Sequence, residues 1–459
     1  MNFIDHTKIE SWLQQLDKEF GSSMDSIEQK IESRQSLSTE DILYLISLTD
    51  SSSLQRLFSL AKKQKETIYG TRIVMFAPLY LSNHCVNNCV YCGYRRENEI
   101  PRRRLTMDEI VAEVKILEKM GHKRLALEVG EDPRNCPIEY VIEAIETIYK
   151  TAGREGDIRR VNVNIAATGV EEYRKLKEAG IGTYILFQET YHRPTYERVH
   201  PKSLKGDYEY HLNAFTRAME AGVDDVGAGV LFGLYDWRFE LLALLEHNRW
   251  LEERFGVGFH TVSVPRIKPA EGVLLDQFTE RIDDDIFRRI VAILRLALPL
   301  SGIILSTRES AELRKELISL GVSQISAGSS TGVGGYKADE AAKNTEQFSV
   351  EDHRTPLSVL KELIAEGYLP SYCTACYRKG RTGDRFMSLA RSGNIRNVCQ
   401  PNALMTLVEY AATYGDSDLI QRVKELIPDE IDRILNPQMR EYTIRAIEKI
   451  WKGERDFFV

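Results

Sequence analysis

Apolar residues over roughly the first seventy positions recur with the 3.6-residue period of an amphipathic helix, as in "SWLQQLDKEF" and "TEDILYLISL", with little strand character between them. Ser38-Thr39-Glu40-Asp41 supplies a helix start. From about Tyr69 the pattern changes. Short β-rich runs ("RIVMFAPLYL", "RLALEVG", "VNVNIAATG", "TYILFQET", "DVGAGVLFG", "HTVSVPRI", "GIILSTRE" and "QISAGSS") alternate with helix-like stretches such as "MDEIVAEVKILEKMG". This alternation is the signature of βα units around a parallel sheet, and eight strands predict a closed (β/α)8 TIM barrel with its chemistry at the C-terminal strand ends. Glycines ending "KLKEAG" and "AMEAG" can stop the helices before the next strand. Beyond about Asp339 helical sequence takes over, broken by the polar stretch "YCTACYRKGRTGDRF". The expected division is a helical region at 1–68, a barrel at 69–338 and a helical C-terminal region at 339–459.

Composition narrows the function classes. The 459 residues are 43% hydrophobic, as an ordinary soluble core requires, and 61 Lys+Arg against 68 Asp+Glu give a net charge of -7. No nucleic acid and no membrane is expected as a partner, because both select for basic excess. The longest apolar stretch, "IVAILRLALPLSGIIL", is interrupted by Arg295 and a Pro-Leu-Ser-Gly break, which predicts a helix turning into a strand. The first twenty residues lack the apolar run of a signal peptide, so a cytoplasmic address is expected. Seven cysteines are an odd count, and six fall into two tight groups, a pattern of metal ligands rather than disulfides.

Cys85, Cys89 and Cys92 form C-x3-C-x2-C immediately after the first strand run. Thiolates suit iron-sulfur clusters and zinc. A zinc site would need His84 as its fourth ligand, and His84 abuts Cys85, an awkward geometry around one small ion. A four-iron cubane on three cysteines instead leaves one iron open to a substrate or cofactor. The spacing, with Tyr94 behind it, resembles the radical S-adenosylmethionine (SAM) family, whose open iron chelates SAM and whose reductive cleavage of SAM gives a 5'-deoxyadenosyl radical. That resemblance implies a SAM-binding 4Fe-4S cluster. It also implies Gly130 and Glu131 of "LEVGEDP" near the SAM amino group, and Glu189 and Arg198 of "FQETYHRPTYERVHP" near its ribose and carboxylate. Without it, Glu131 reads as a helix-start acid and Arg198 as a partner for a surface acid.

Cys373, Cys376 and Cys399 repeat the three-ligand pattern as C-x2-C-x22-C. No histidine follows His353, so a closed zinc site would have to recruit a distant ligand or a carboxylate such as Asp384. With "QETY" and "PRI" in the barrel, this second group is similar to the tyrosine lyases of FeFe-hydrogenase maturation, a branch of the radical SAM family. The related thiazole-pathway tyrosine lyases share the barrel motifs without that group. The resemblance implies cleavage of L-tyrosine between Cα and Cβ to p-cresol and dehydroglycine, then CO and cyanide at an auxiliary 4Fe-4S cluster. There a fifth iron is held through a free cysteine. It further implies an external electron donor and transient hydrogenase-maturation partner proteins. Imidazole suits iron, and the family has a histidine in the context of "FGVGFHTVSVPRIKPA", so the resemblance implies His260 as a ligand of the fifth iron; a histidine merely packed beside a strand is the plain alternative. An Arg fork matches a carboxylate, so Ser306 and Arg308 of "LSTRES" are expected to hold the tyrosine carboxylate. Arg266 competes for that role, and pairing of Arg308 with Glu309 or Glu312 is the plain alternative. Other readings are a radical SAM enzyme acting on another amino acid, sulfur insertion as in biotin synthase, or a scaffold that carries metal to a partner.

Cys136 reads as an isolated thiol, and His192 and His200 need no ligand role. "GSSTGVGGY" lacks a phosphate-binding lysine and is expected to give backbone access between the clusters. "PRRRL" reads as a solvated basic face.

Overall fold

The computed structural model describes residues 3–16, 18, 20–153, 156–338 and 345–459. Eight parallel strands close on themselves: β1 (Arg72–Ser82), β2 (Arg124–Val129), β3 (Arg160–Asn164), β4 (Tyr184–Glu189), β5 (Val226–Val230), β6 (Thr261–Ser263), β7 (Gly302–Leu305) and β8 (Gln324–Ser326). Each pairs with the next in sequence. The ring shuts where Val74, Met75 and Phe76 of β1 meet Gln324, Ile325 and Ser326 of β8. Val161 and Val163, Ile303, and Ile325 of these strands are buried against the surrounding helices, the core expected of a (β/α)8 barrel.

Every strand run read from the sequence overlaps one of these strands, and all but the first extend past the hydrogen-bonded segments into the loops at the C-terminal, upper end. "VNVNIAATG", for example, is strand only to Asn164. There the β-branched and aromatic residues line a cavity rather than a ladder.

Four helices precede the barrel, His6–Leu13, Met24–Glu32, Thr39–Ser47 and Ser51–Tyr69. Ser38 caps the third as the sequence suggests: its hydroxyl accepts from Asp41 N, and the Asp41 carboxylate accepts from Ser38 N at 2.7 Å. The last of these helices packs on Asp284–Ala297. Arg295 closes the lower end of that hairpin. Fully buried, it donates to the carbonyls of Leu298, Pro299, Ser301 and Gly321, which explains how a charge is tolerated inside the longest apolar stretch. Among the described residues no helix is long and apolar enough to cross a membrane.

The boundary read at 338/339 abuts residues 339–344, which lie outside the described residues. Among its described residues the C-terminal region is mostly helical from Pro356 on and holds one strand the periodicity did not reveal, β9 (Leu369–Ser371). It is three residues long and carries a proline, too short for an alternation to register. It pairs with the lower half of β1, Arg72↔Leu369 to Val74↔Ser371, and this pairing brings the second cysteine group to the underside of the barrel.

Candidate active site at the two ends of the barrel

The upper end encloses a cavity of about 220 Å3 lined by Cys85, Cys89, Cys92, Tyr94, Gly130, Glu131, Glu189, Ser306 and Arg308. The cysteine loop leaves β1 and is pinned at several points. Val86 N donates to Glu131 O (2.8 Å), Val90 N to Val199 O (3.0 Å), and the Asn87 amide to the Glu131 carboxylate. Arg102 donates to the carbonyls of Asn83, Tyr94, Arg95 and Asn98, and Arg103 pairs with Glu109. The expected solvated face of "PRRRL" is therefore corrected: Arg102 staples the cysteine loop, because its backbone carbonyls have no ladder to satisfy them. Gly130 is required by close approach, since a Cβ there would lie 2.4 Å from the His84 carbonyl oxygen.

Glu189 adopts a left-handed backbone, φ 67°, at the end of β4 and pairs with Lys205 at 2.7 Å. Arg198, expected beside it, is a correction. It lies on the exposed side of the helix Arg193–Val199 and does not line the cavity. Lys205, just beyond that helix, is the cation there; no motif or spacing distinguishes it from other lysines in the sequence. Tyr94 is buried, its hydroxyl donating to Thr331 O (2.9 Å), and Gln347 links the Tyr80 hydroxyl to Cys92 Sγ. Ser329 and Thr331 of "GSSTGVGGY" line the upper cavity, which reaches from the upper cysteines to Gln324.

Arg308 stacks on Phe348, 3.3 Å from the ring centre, and makes no ion pair among the described residues. Its expected competitor is occupied: Arg266 binds Glu309 and Asp284, and Lys268 adds a second contact to Glu309 (3.2 Å). Glu128, which the sequence reading passed over, faces the same cavity. Burial pushes its carboxyl up to about 8, against the pull of Arg308 and a 2.8 Å hydrogen bond from Asn164.

The lower end holds a second cavity, about 90 Å3, lined by Cys373, Cys376, Cys399, His260, Arg72, Arg124 and Arg160. Cys373 follows β9, Cys376 is on the short helix Ala375–Arg378, and Cys399 is on Arg396–Tyr414. His260 immediately precedes β6, so its place at a strand start puts it on the same face as this group. Its Nε2 meets the Tyr377 hydroxyl at 3.2 Å, and its Nδ1 lies 3.6 Å from Asp225. Asp384 is exposed and outside the lining, so it does not complete a tetrahedron. Cys136 lines neither cavity.

Both triads fit iron-sulfur chemistry. Burial raises every thiol in the upper group, Cys85 to about 11, and raises Cys373 and Cys376 below. Metal cations would offset that penalty on the thiolates. Among the described residues no three His, Cys, Asp or Glu side chains form a group for a single ion.

Gln324 lines both cavities. It lies over Gly302, where a Cβ would come within 2.3 Å of its Nε2, so these two residues are packed together where the two cavities adjoin.

The sequence pattern of the radical SAM superfamily matches residues 79–245, and that of the Biotin and Thiamin Synthesis associated domain matches 263–369. The 2-iminoacetate synthase of Escherichia coli (strain K12) is 32% identical over 351 residues, 76% of this chain and 90% of that protein. The chain belongs to the radical SAM superfamily. It is a radical SAM enzyme, and the family implies a 4Fe-4S cluster and SAM. Two crystal structures match nearly end to end. HydG, a maturase of the FeFe-hydrogenase, is 53% identical with a TM-score of 0.97 and full coverage of both chains. The FeFe-hydrogenase maturase HydG from Carboxydothermus hydrogenoformans is 42% identical with a TM-score of 0.83, covering 97% of this chain and 98% of that one.

Proposed function

We propose that this protein is a radical SAM L-tyrosine lyase of FeFe-hydrogenase maturation, which cleaves tyrosine to p-cresol and dehydroglycine and converts the latter to CO and cyanide on iron. The observation that carries the reading is the pair of three-cysteine groups at opposite ends of one barrel, in a chain similar over its full length to HydG.

Cys85, Cys89 and Cys92 would hold the SAM-binding cluster, which when bound supplies the electron that cleaves SAM to a 5'-deoxyadenosyl radical. Gly130 and Glu131 would meet the SAM amino group and Glu189 its ribose, with Tyr94 in the wall of the same cavity. Arg308, a half-buried guanidinium that makes no ion pair among the described residues, would clamp the tyrosine carboxylate together with the Ser306 hydroxyl. The enclosed cavity keeps water from the radical. A small fragment passes Gln324 and Gly302 to the lower end, where Cys373, Cys376 and Cys399 would hold the auxiliary cluster. The His260 imidazole would offer a nitrogen ligand to the fifth iron, for which a free cysteine would be a further ligand. A low-potential electron donor and the maturation proteins that take the product are the expected cytoplasmic partners.

Protein reconstituted anaerobically and given dithionite, SAM and tyrosine should release 5'-deoxyadenosine, p-cresol, CO and cyanide. Cleavage of SAM without p-cresol would overturn the substrate assignment. The similarity to 2-iminoacetate synthase favours a second reading, a lyase that releases dehydroglycine for thiazole synthesis; p-cresol without CO or cyanide would select it.

A further inference from the structure

Arg72, Arg124 and Arg160 are the first residues of β1, β2 and β3, three adjacent strands, and all line the lower cavity. They are 6%, 7% and 2% exposed. None makes an ion pair among the described residues. Arg72 Nε donates to Tyr69 O (2.7 Å), Arg124 Nη2 to Cys373 O (2.8 Å), and Arg160 to Asn162 Oδ1 (2.6 Å) and Thr183 Oγ1 (2.5 Å). The Arg160 guanidinium also stacks 3.0 Å from the Tyr377 ring centre. Arg124 Nε and Asp225 Oδ2 have no hydrogen-bond partner. Asp225, whose Oδ1 accepts from Gly383 N at 2.9 Å, is the carboxylate beside His260. Three fixed positive charges thus face one negative charge in a desolvated chamber, where unpaired charges are costly unless an anion joins them. The upper end is arranged differently. Lys205 is neutralised by Glu189, and Glu128 and Glu131 share the cavity with Arg308.

We propose that Arg72, Arg124 and Arg160 tune the lower centre through their field, so that in the absence of SAM an electron entering the protein rests on the lower cluster in preference to the upper one. This rests on the reading of Cys373, Cys376 and Cys399 as cluster ligands. The potential of an iron-sulfur cluster depends on its net charge, hydrogen bonding and exposure, and nearby cations favour the more negative, reduced state. Low dielectric inside the barrel enlarges that effect. The step is a one-electron transfer: a low-potential donor such as dithionite is oxidised, the lower cubane gains the electron, and no bond or proton moves. The arginines act as positioning residues for charge.

The test is a redox titration of the reconstituted full chain without SAM, followed by electron paramagnetic resonance, with Cys89→Ala and Cys376→Ala used to assign the two signals. The lower signal should appear at the more positive potential. Arg124→Gln and Arg160→Gln should each shift the lower midpoint to more negative values and leave the upper one in place, whereas Arg124→Lys keeps most of the parent value. Iron and sulfide content is measured on every variant. Loss of the lower cluster in the Gln variants with its retention in Arg124→Lys would show the charge holding the cluster rather than setting its potential, and would overturn the proposal. Reduction of the upper centre first, or identical midpoints in parent, Gln and Lys proteins, would overturn the proposal. Should Cys376→Ala remove neither iron nor a signal, the reading of the lower cysteines fails and the proposal with it. Loss of one cluster in Cys376→Ala with the midpoint order reversed sinks the arginine proposal alone.

Discussion

Cys85, Cys89 and Cys92 sit on one loop between β1 and its following helix, whereas Cys373, Cys376 and Cys399 come from a strand end, a short helix and a long helix. The upper triad needs little more than β1 and the hydrogen bonds of Arg102, Asn87 and Glu131 to be in place. The lower triad exists only because β9 docks beside β1 and Arg396–Tyr414 packs against β9. Charge separates the ends as well, balanced above and cationic below. The same three-thiol arrangement is thus built once from local sequence and once from tertiary assembly, in surroundings of different charge.

That contrast can be broken most sharply from above. Cys89→Ala should abolish SAM cleavage and every product while leaving the iron and sulfide of the lower cluster; retention of p-cresol would show that the ends are not divided as described. Arg308→Gln should lower kcat/KM for tyrosine by about a hundredfold, the order expected when a buried charge contact is removed, with 5'-deoxyadenosine still formed. An unchanged kcat/KM would return the carboxylate role to Arg266. Gly302→Val, where the two cavities adjoin, should cut cyanide and CO by about tenfold while p-cresol persists, because the added carbons collide with Gln324. Equal losses of all products would mean that the fragment travels by another route.

The smallest effect is a pH dependence of stability. The folded protein holds the Glu128 proton more tightly than the unfolded chain, so this group lowers stability progressively as pH rises from the ordinary carboxyl range to about 8. Denaturant titrations of the cluster-free chain should show that slope flattened in Glu128→Gln. An unaltered slope would place Glu128 in contact with water.

Much of this layout was legible. The eight βα repeats and both cysteine groups follow from periodicity and spacing, since strand alternation and ligand spacing are local. Ser38 and Asp41 announced their helix for the same reason. His260 was legible as a ligand type, and only the second cysteine group's location beneath the barrel makes sense of its place before β6. Lys205, Glu128 and Gln347 were not legible, because they reach the upper cavity from separate loops and strands without a shared motif. Arg198 misled because the helix that carries it turns it outward. A signal for the arginine triad was present: two strand runs open on Arg72 and Arg124 and a third directly follows Arg160, which becomes meaningful once the barrel places those strands side by side. β9 left no such trace, its three residues being held by β1 rather than by any pattern of their own.

The division of labour between the ends is tested most directly by Cys376→Ala, reconstituted anaerobically and given dithionite, SAM and tyrosine, with p-cresol, CO and cyanide quantified together. The account predicts p-cresol near the parent's level with CO and cyanide lost. Loss of p-cresol in step with the diatomics, in a protein that keeps the upper cluster, would contradict it.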